Sequence, residues 1–143
     1  MLYQKIENKP IVSEIYFNPA FKDQLYFVYL NKKQNSRDGI AMYRNYTGNV
    51  SKSTLDINTI TKNLIDCESL EAFKHLITTH ESIISKIIKQ DPIKNVLFND
   101  FDGAIKSLGA WGGDFILAAS ELNPKDYFAQ KGFTTIIPFS ELI

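Results

Sequence analysis

The sequence predicts an α+β domain, an antiparallel sheet with helices packed on one face, and three observations carry that prediction. About five short apolar segments, rich in aromatic and β-branched residues, are bounded by turn residues. The two longest helical periods fall together after the second of these segments instead of alternating with strands one by one. The 143 residues contain no internal repeat, low-complexity tract or linker, so the chain reads as one domain. That length suffices to bury about 70% of the surface exposed by an unfolded chain.

Residues 11–17, Ile-Val-Ser-Glu-Ile-Tyr-Phe, place Ile11, Ile15 and Phe17 in alternation, and Asn18-Pro19 closes the run; a strand near the sheet's edge is expected. Leu25-Tyr-Phe-Val-Tyr-Leu30 is continuously apolar, the pattern of a central strand buried on both faces or flanked closely by others. The polar run Asn31-Lys-Lys-Gln-Asn-Ser-Arg-Asp-Gly39 follows it. Ligand sites are often built at such a strand end, and Lys32, Lys33 and Arg37 concentrate positive charge there. Ser36 or Asn35 can cap a helix running through Tyr43 and Tyr46 and present backbone N–H groups to an anion; a solvated loop with a capping serine explains the same residues.

After Thr47-Gly48-Asn49 a helix is expected from Ser53 to Ile65, with Ile57, Ile60 and Leu64 on one face. A longer one is expected from Glu68 to Lys89, capped by Asp66, with Leu70, Phe73, Ile77 and Ile84 in helical period. His80 falls on that stripe and His75 on the polar side. A lone histidine on an apolar face is usually a hydrogen-bonded core residue, and two histidines five apart do not form a helical metal pair. Neither metal nor zinc site is assigned. Asp91-Pro92 ends the helix.

Ala104 to Leu108 and Phe115 to Ala119 read as paired strands around Lys106-Ser-Leu-Gly-Ala-Trp-Gly-Gly-Asp114, which holds three of the chain's seven glycines. A glycine turn of this kind permits positive φ and uncovers backbone N–H groups, which suits either a tight hairpin or the approach of phosphate. On turn chemistry alone the hairpin is the simpler reading. Asn123, Pro124 and Gly132 punctuate a closing helix, and Thr134 to Ile137 supplies a last strand stopped by Pro138.

Composition narrows the partners. Hydrophobic residues at 44% and charged residues at 22% are ordinary for a globular chain, and sixteen basic residues balance sixteen acidic ones. No global charge favours nucleic acid or an anionic membrane. The N-terminus lacks a secretory signal and no apolar run is long enough to span a bilayer, so a cytoplasmic location is the expectation. Cys67 has no partner for an intrachain disulfide.

Lys106-Ser-Leu-Gly-Ala-Trp-Gly-Gly-Asp-Phe-Ile-Leu117 resembles the third motif of the GHMP kinases, the small-molecule kinases that include galactokinase, homoserine kinase, mevalonate kinase and phosphomevalonate kinase. It is nearest to the phosphomevalonate kinase form, which ends in aspartate; Trp111 stands where the family usually has a third glycine. Thr79-His-Glu-Ser-Ile-Ile84 looks like the family's helix with a histidine followed by aliphatics, and Lys32 to Ile40 is similar to the segment in which a Ser-Arg pair meets substrate phosphate.

The resemblance covers nearly the whole chain and implies the C-terminal half of such a kinase, with a ferredoxin-like fold. It implies substrate or phosphate contacts from Lys32, Lys33, Ser36, Arg37 and His80, and a phosphate-side loop of Gly109, Ala110, Trp111, Gly112, Gly113 and Asp114. ATP and magnesium would belong to the parent enzyme's other half, whose glycine-serine nucleotide loop is not in this sequence. No catalytic residue is therefore assigned here, the chain alone is expected to be inactive, and its partners are that half and a small-molecule substrate. The face that the other half would cover is expected to be an exposed apolar patch including Trp111, through which the chain could self-associate. A stand-alone ferredoxin-like module that binds a metabolite or pairs with itself is the alternative.

Overall fold

The computed structural model describes residues 1–33, 35–109, 111 and 113–142. Among the described residues six strands and five α-helices follow one another as β1 (Leu2–Ile6), β2 (Lys9–Ser13), β3 (Leu25–Tyr29), α1 (Ser36–Arg44), α2 (Val50–Ile65), α3 (Leu70–Ile88), α4 (Ile93–Leu97), β4 (Ala104–Ser107), β5 (Phe115–Ala119), α5 (Lys125–Gln130) and β6 (Ile136–Pro138). The fold is α+β. A four-stranded sheet has the order β4-β5-β3-β6, antiparallel throughout. The apolar run expected to be central is central: β3 pairs with β5 on one side, Leu25 opposite Ala119 and Tyr29 opposite Phe115, and with β6 on the other.

The strand expected at 11–17 differs. It is Lys9–Ser13, paired with Leu2–Ile6 in a separate two-stranded sheet. Glu7 and Asn8 join the two strands at φ 46° and 64°, the left-handed conformation of a two-residue hairpin turn. No glycine marks that turn, which is why the sequence conceals it. Tyr3 and Val12 oppose one another on this hairpin and both are exposed.

Helices cover both faces of the large sheet, a correction to the single-face expectation. Side chains alternate along each strand, so Leu25, Ala104 and Ala119 share one face, where they cluster with Leu70, Phe73 and Ile77 of α3. Val28, Ile105, Ile116 and Ala118 share the other, beneath Phe98 and Phe101 after α4 and Phe128 of α5. The cause lies in β3 and β5, which are apolar at successive positions. Each face of such strands must be covered, and one helical layer cannot do both. The chain changes faces after α3, where Lys89 takes a left-handed C-cap (φ 53°) ahead of Pro92.

Caps set the helix boundaries. Asn35 Oδ1 accepts from Arg37 N–H at 3.1 Å and Asn49 Oδ1 from Ser51 N–H at 2.8 Å, so α2 begins three residues before the expected Ser53. Ser69, not Asp66, caps α3, its hydroxyl accepting from Ala72 N–H at 3.2 Å; Asp66 instead closes α2. Asn123 accepts from Lys125 N–H at 3.0 Å, and Gly132 turns the chain out of α5 at φ +90°. Pro138 lies inside β6, which its edge position permits.

Candidate functional site

The glycine turn and the loop after β3 are stapled together at one end of the sheet. Leu108 N–H donates to Phe115 O at 3.0 Å, closing the hairpin, and Gly109, Trp111 and Asp114 all take positive φ beyond it. Leu30 N–H then donates to Asp114 O at 2.7 Å, and Asp114 N–H to Lys32 O at 2.6 Å. Two segments more than seventy residues apart thereby share a backbone ladder that continues the β3–β5 pairing.

Above them lies a groove of about 580 Å³ between α1 and α3. Helix α1 contributes Ser36, Ile40 and Tyr43, α3 contributes Ile84 and Ile88, and the turn contributes Gly109 and Trp111. Ser36, Ile40 and Tyr43 recur at helical spacing, one stripe of α1 facing the groove. Of the expected site residues, the structure thus joins Ser36 with Gly109 and Trp111. Arg37 and Lys33 are exposed and do not line it, and Lys32 lines a different hollow with Gln90 and Ile93. Asp114 lines a third, with Phe27 and Phe115. Gly113 is buried in the turn. Ala110 and Gly112 lie outside the described residues.

Trp111 is not the exposed patch expected of it. The indole is 7% exposed and packs on Ile87 and Ile88, with Met42 and Tyr46 against the same cluster. The apolar end of α3 provides a surface for the ring, and the left-handed backbone at residue 111 (φ 52°) is held in the same loop. The chain covers its own tryptophan.

His80 sits one turn before Ile84 on α3 but does not line the groove. Its Nδ1 is buried without a hydrogen-bond partner among the described residues. Burial, with the Lys106 ammonium as a smaller influence, lowers its pKa to about 4. Because the unfolded histidine protonates near 6.5, stability present above that pH is lost as pH falls through 6.5 toward 4. His80→Gln should flatten that slope in urea unfolding between pH 4 and 7 by about 1–2 kcal/mol, a figure discounted for screening around a partly exposed ring. An unchanged slope would assign the acid sensitivity elsewhere.

The residue that the sequence reading passed over is Glu81. It is 2% exposed, and it rather than His80 occupies the innermost position of the α3 stripe between Ile77 and Ile84. Lys106 Nζ, from β4, stands 3.7 Å from Glu81 Oε1 and donates to Ser107 O at 3.1 Å. Neither Glu81 oxygen has a hydrogen-bond partner among the described residues, nor does Ser107 Oγ. Burial raises the Glu81 carboxyl, opposed by the nearby Ser107 dipoles, which fall outside hydrogen-bond geometry, and by the ammonium. Burial likewise lowers Lys106, opposed by Glu81. The signal was available: a glutamate at 81 fits the period of Leu70, Phe73, Ile77 and Ile84, and a charge on an apolar stripe calls for a buried partner.

No protein-family model, curated protein or solved structure matches the chain. Its site is therefore read from its own residues. Among those described, no three His, Cys, Asp or Glu side chains come together to hold a metal ion, and no helix is long and apolar enough to cross a membrane.

Proposed function

We propose that this chain is the substrate- and phosphate-side domain of an ATP-dependent small-molecule kinase of the GHMP type, mevalonate or phosphomevalonate kinase-like. The observation that carries the reading is the meeting of Ser36 at the start of α1 with Gly109 and Trp111 of the glycine turn in one groove. The strand order supports it as well: β4-β5-β3-β6 is the order of a ferredoxin-like sheet, although here helices lie on both faces.

In this reading Arg37 and Lys33, exposed at the entry to α1, neutralise a substrate phosphate or carboxylate, while turn N–H groups close on the transferred group; Lys32, which lines a separate hollow, takes no part. ATP and magnesium, supplying the phosphoryl group and charge neutralisation, would be held by another segment or chain. The experiment is calorimetric titration of this chain with phosphomevalonate and, separately, with magnesium ATP. Weak binding of the phosphorylated acid is expected, reduced about tenfold by Arg37→Ala as one charge-assisted contact is lost. Tight magnesium ATP binding, or phosphomevalonate affinity indifferent to Arg37→Ala, would overturn the assignment.

Trp111 favours a second reading, a stand-alone module that binds a metabolite or self-associates without catalysis. Where the kinases leave a glycine open to phosphate, here an indole is packed against Ile87 and Ile88. The groove it borders is apolar along most of its length.

A further inference from the structure

The lining of the groove is too apolar to be explained by phosphate alone. Between Ser36 and Arg44, both of which line it, α1 turns Ile40 and Tyr43 inward, and both remain about half exposed at 49% and 52%. Ile84, Ile88 and Trp111 form the opposite wall. Helix α1 buries none of its own residues. Its apolar stripe is thus only partly covered by the chain.

Of the three segments that line the groove, residues 36–44 and 84–89 carry Arg37, Arg44, Lys86 and Lys89 against Asp38 and the turn 109–114 carries Asp114, a cationic excess in a chain that is neutral as a whole. Arg44 itself has no ion-pair partner among the described residues. Ser36 and Arg44 are eight residues apart, about 12 Å along a helix axis. The groove's volume of about 580 Å³ falls within the range of small-molecule sites.

We infer that this groove binds a small, soluble amphipathic anion. Its carboxylate or phosphate monoester head meets the Arg44 guanidinium, and its apolar body, up to about 12 Å long, lies along Ile40, Tyr43, Ile84 and Ile88 against Trp111. Burying the body contributes affinity in proportion to its apolar area, and the single guanidinium orients the head. The inference rests on the cleft reading above for where the ligand sits.

Trp111 is the chain's one tryptophan, so its emission reports on the site directly. The probes are decanoate and decyl phosphate below their micelle concentrations, with decanol and decyltrimethylammonium as neutral and cationic counterparts. A saturable one-to-one change is expected with both anions, at least about fivefold tighter than with either counterpart. Arg44→Gln should remove that preference, and Ile40→Asp should abolish binding. Ile40 is about half exposed and Arg44 is exposed, whereas Met42 is the α1 residue that packs on the Ile87–Ile88 cluster, so melting should be unchanged.

A signal that never saturates, equal affinity for decanol, indifference to Arg44→Gln, or binding only to anionic phosphatidylglycerol vesicles would overturn the inference. The two readings fail separately. Saturable decanoate binding with no Arg37-dependent phosphomevalonate binding sinks the kinase assignment alone, and the reverse result sinks this one.

Discussion

Phe98→Ala should lower the free energy of unfolding by about 3–5 kcal/mol, the range for truncating a fully buried aromatic residue. Phe98 is 0% exposed and immediately follows α4. Its ring meets Phe128 edge-on at 5.1 Å and Phe133 at 5.4 Å, joining the segment before β4 to the α5 region over the face of Val28 and Ile116. Phe101 and Tyr127 are already packed on Phe128 at 5.1 Å each, and Tyr127 stands 6.4 Å from Phe98, so closing the gap would cost contacts made elsewhere in the cluster. Whole domains of this size are stable by roughly 5–15 kcal/mol, so the loss is a large share. Urea unfolding at constant slope reads it directly. A loss under about 1 kcal/mol would mean that this side of the sheet is not sealed by the aromatic cluster.

Which face that cluster covers also shows how far the sequence could be read. Strand identity came from local composition: Leu25–Tyr29 and Phe115–Ala119 are apolar at every position, and no helix-breaking or polar residue competes with that signal. The same continuity says that both faces are buried, yet it does not say by which helices. That depends on the path after Lys89, a positive-φ lysine whose conformation no sequence pattern announces. The α3 cap expected at Asp66 lies at Ser69 for a related reason. Asp66 and Ser69 are both good capping types three residues apart, and only the packing of Leu70 and Phe73 decides between them. At the site, the glycine turn and the Ser36 helix start were legible as candidates because both are short-range features. Their meeting was not derivable from spacing, since it depends on the Lys32–Asp114 backbone contact. Trp111 was misjudged because its cover, Ile87 and Ile88, comes from a helix end over twenty residues earlier.

Removing Lys106 should cost more than removing Glu81, and removing both should cost less than either. Lys106→Met leaves Glu81, only 3% exposed at the side chain, with an unpaired carboxylate in apolar surroundings, and a destabilisation of about 3–5 kcal/mol is expected at pH 7. Glu81→Met leaves an ammonium whose side chain is 20% exposed and can reach water, so about 1–2 kcal/mol is expected. The double variant Glu81→Met/Lys106→Met replaces a pair that lacks direct hydrogen-bond geometry with two apolar side chains, and should match or exceed the parent by about 1–3 kcal/mol. The pH dependence gives an independent sign. Burial raises the folded Glu81 pKa, so its protonated form favours folding at low pH, and that stability is lost as pH rises from 4.5 through the raised value. Without the Lys106 ammonium the carboxyl is raised further, and the loss in Lys106→Met should extend to higher pH. A double-mutant cycle in urea at several pH values measures both effects. Additive single costs would show that the two charges do not interact.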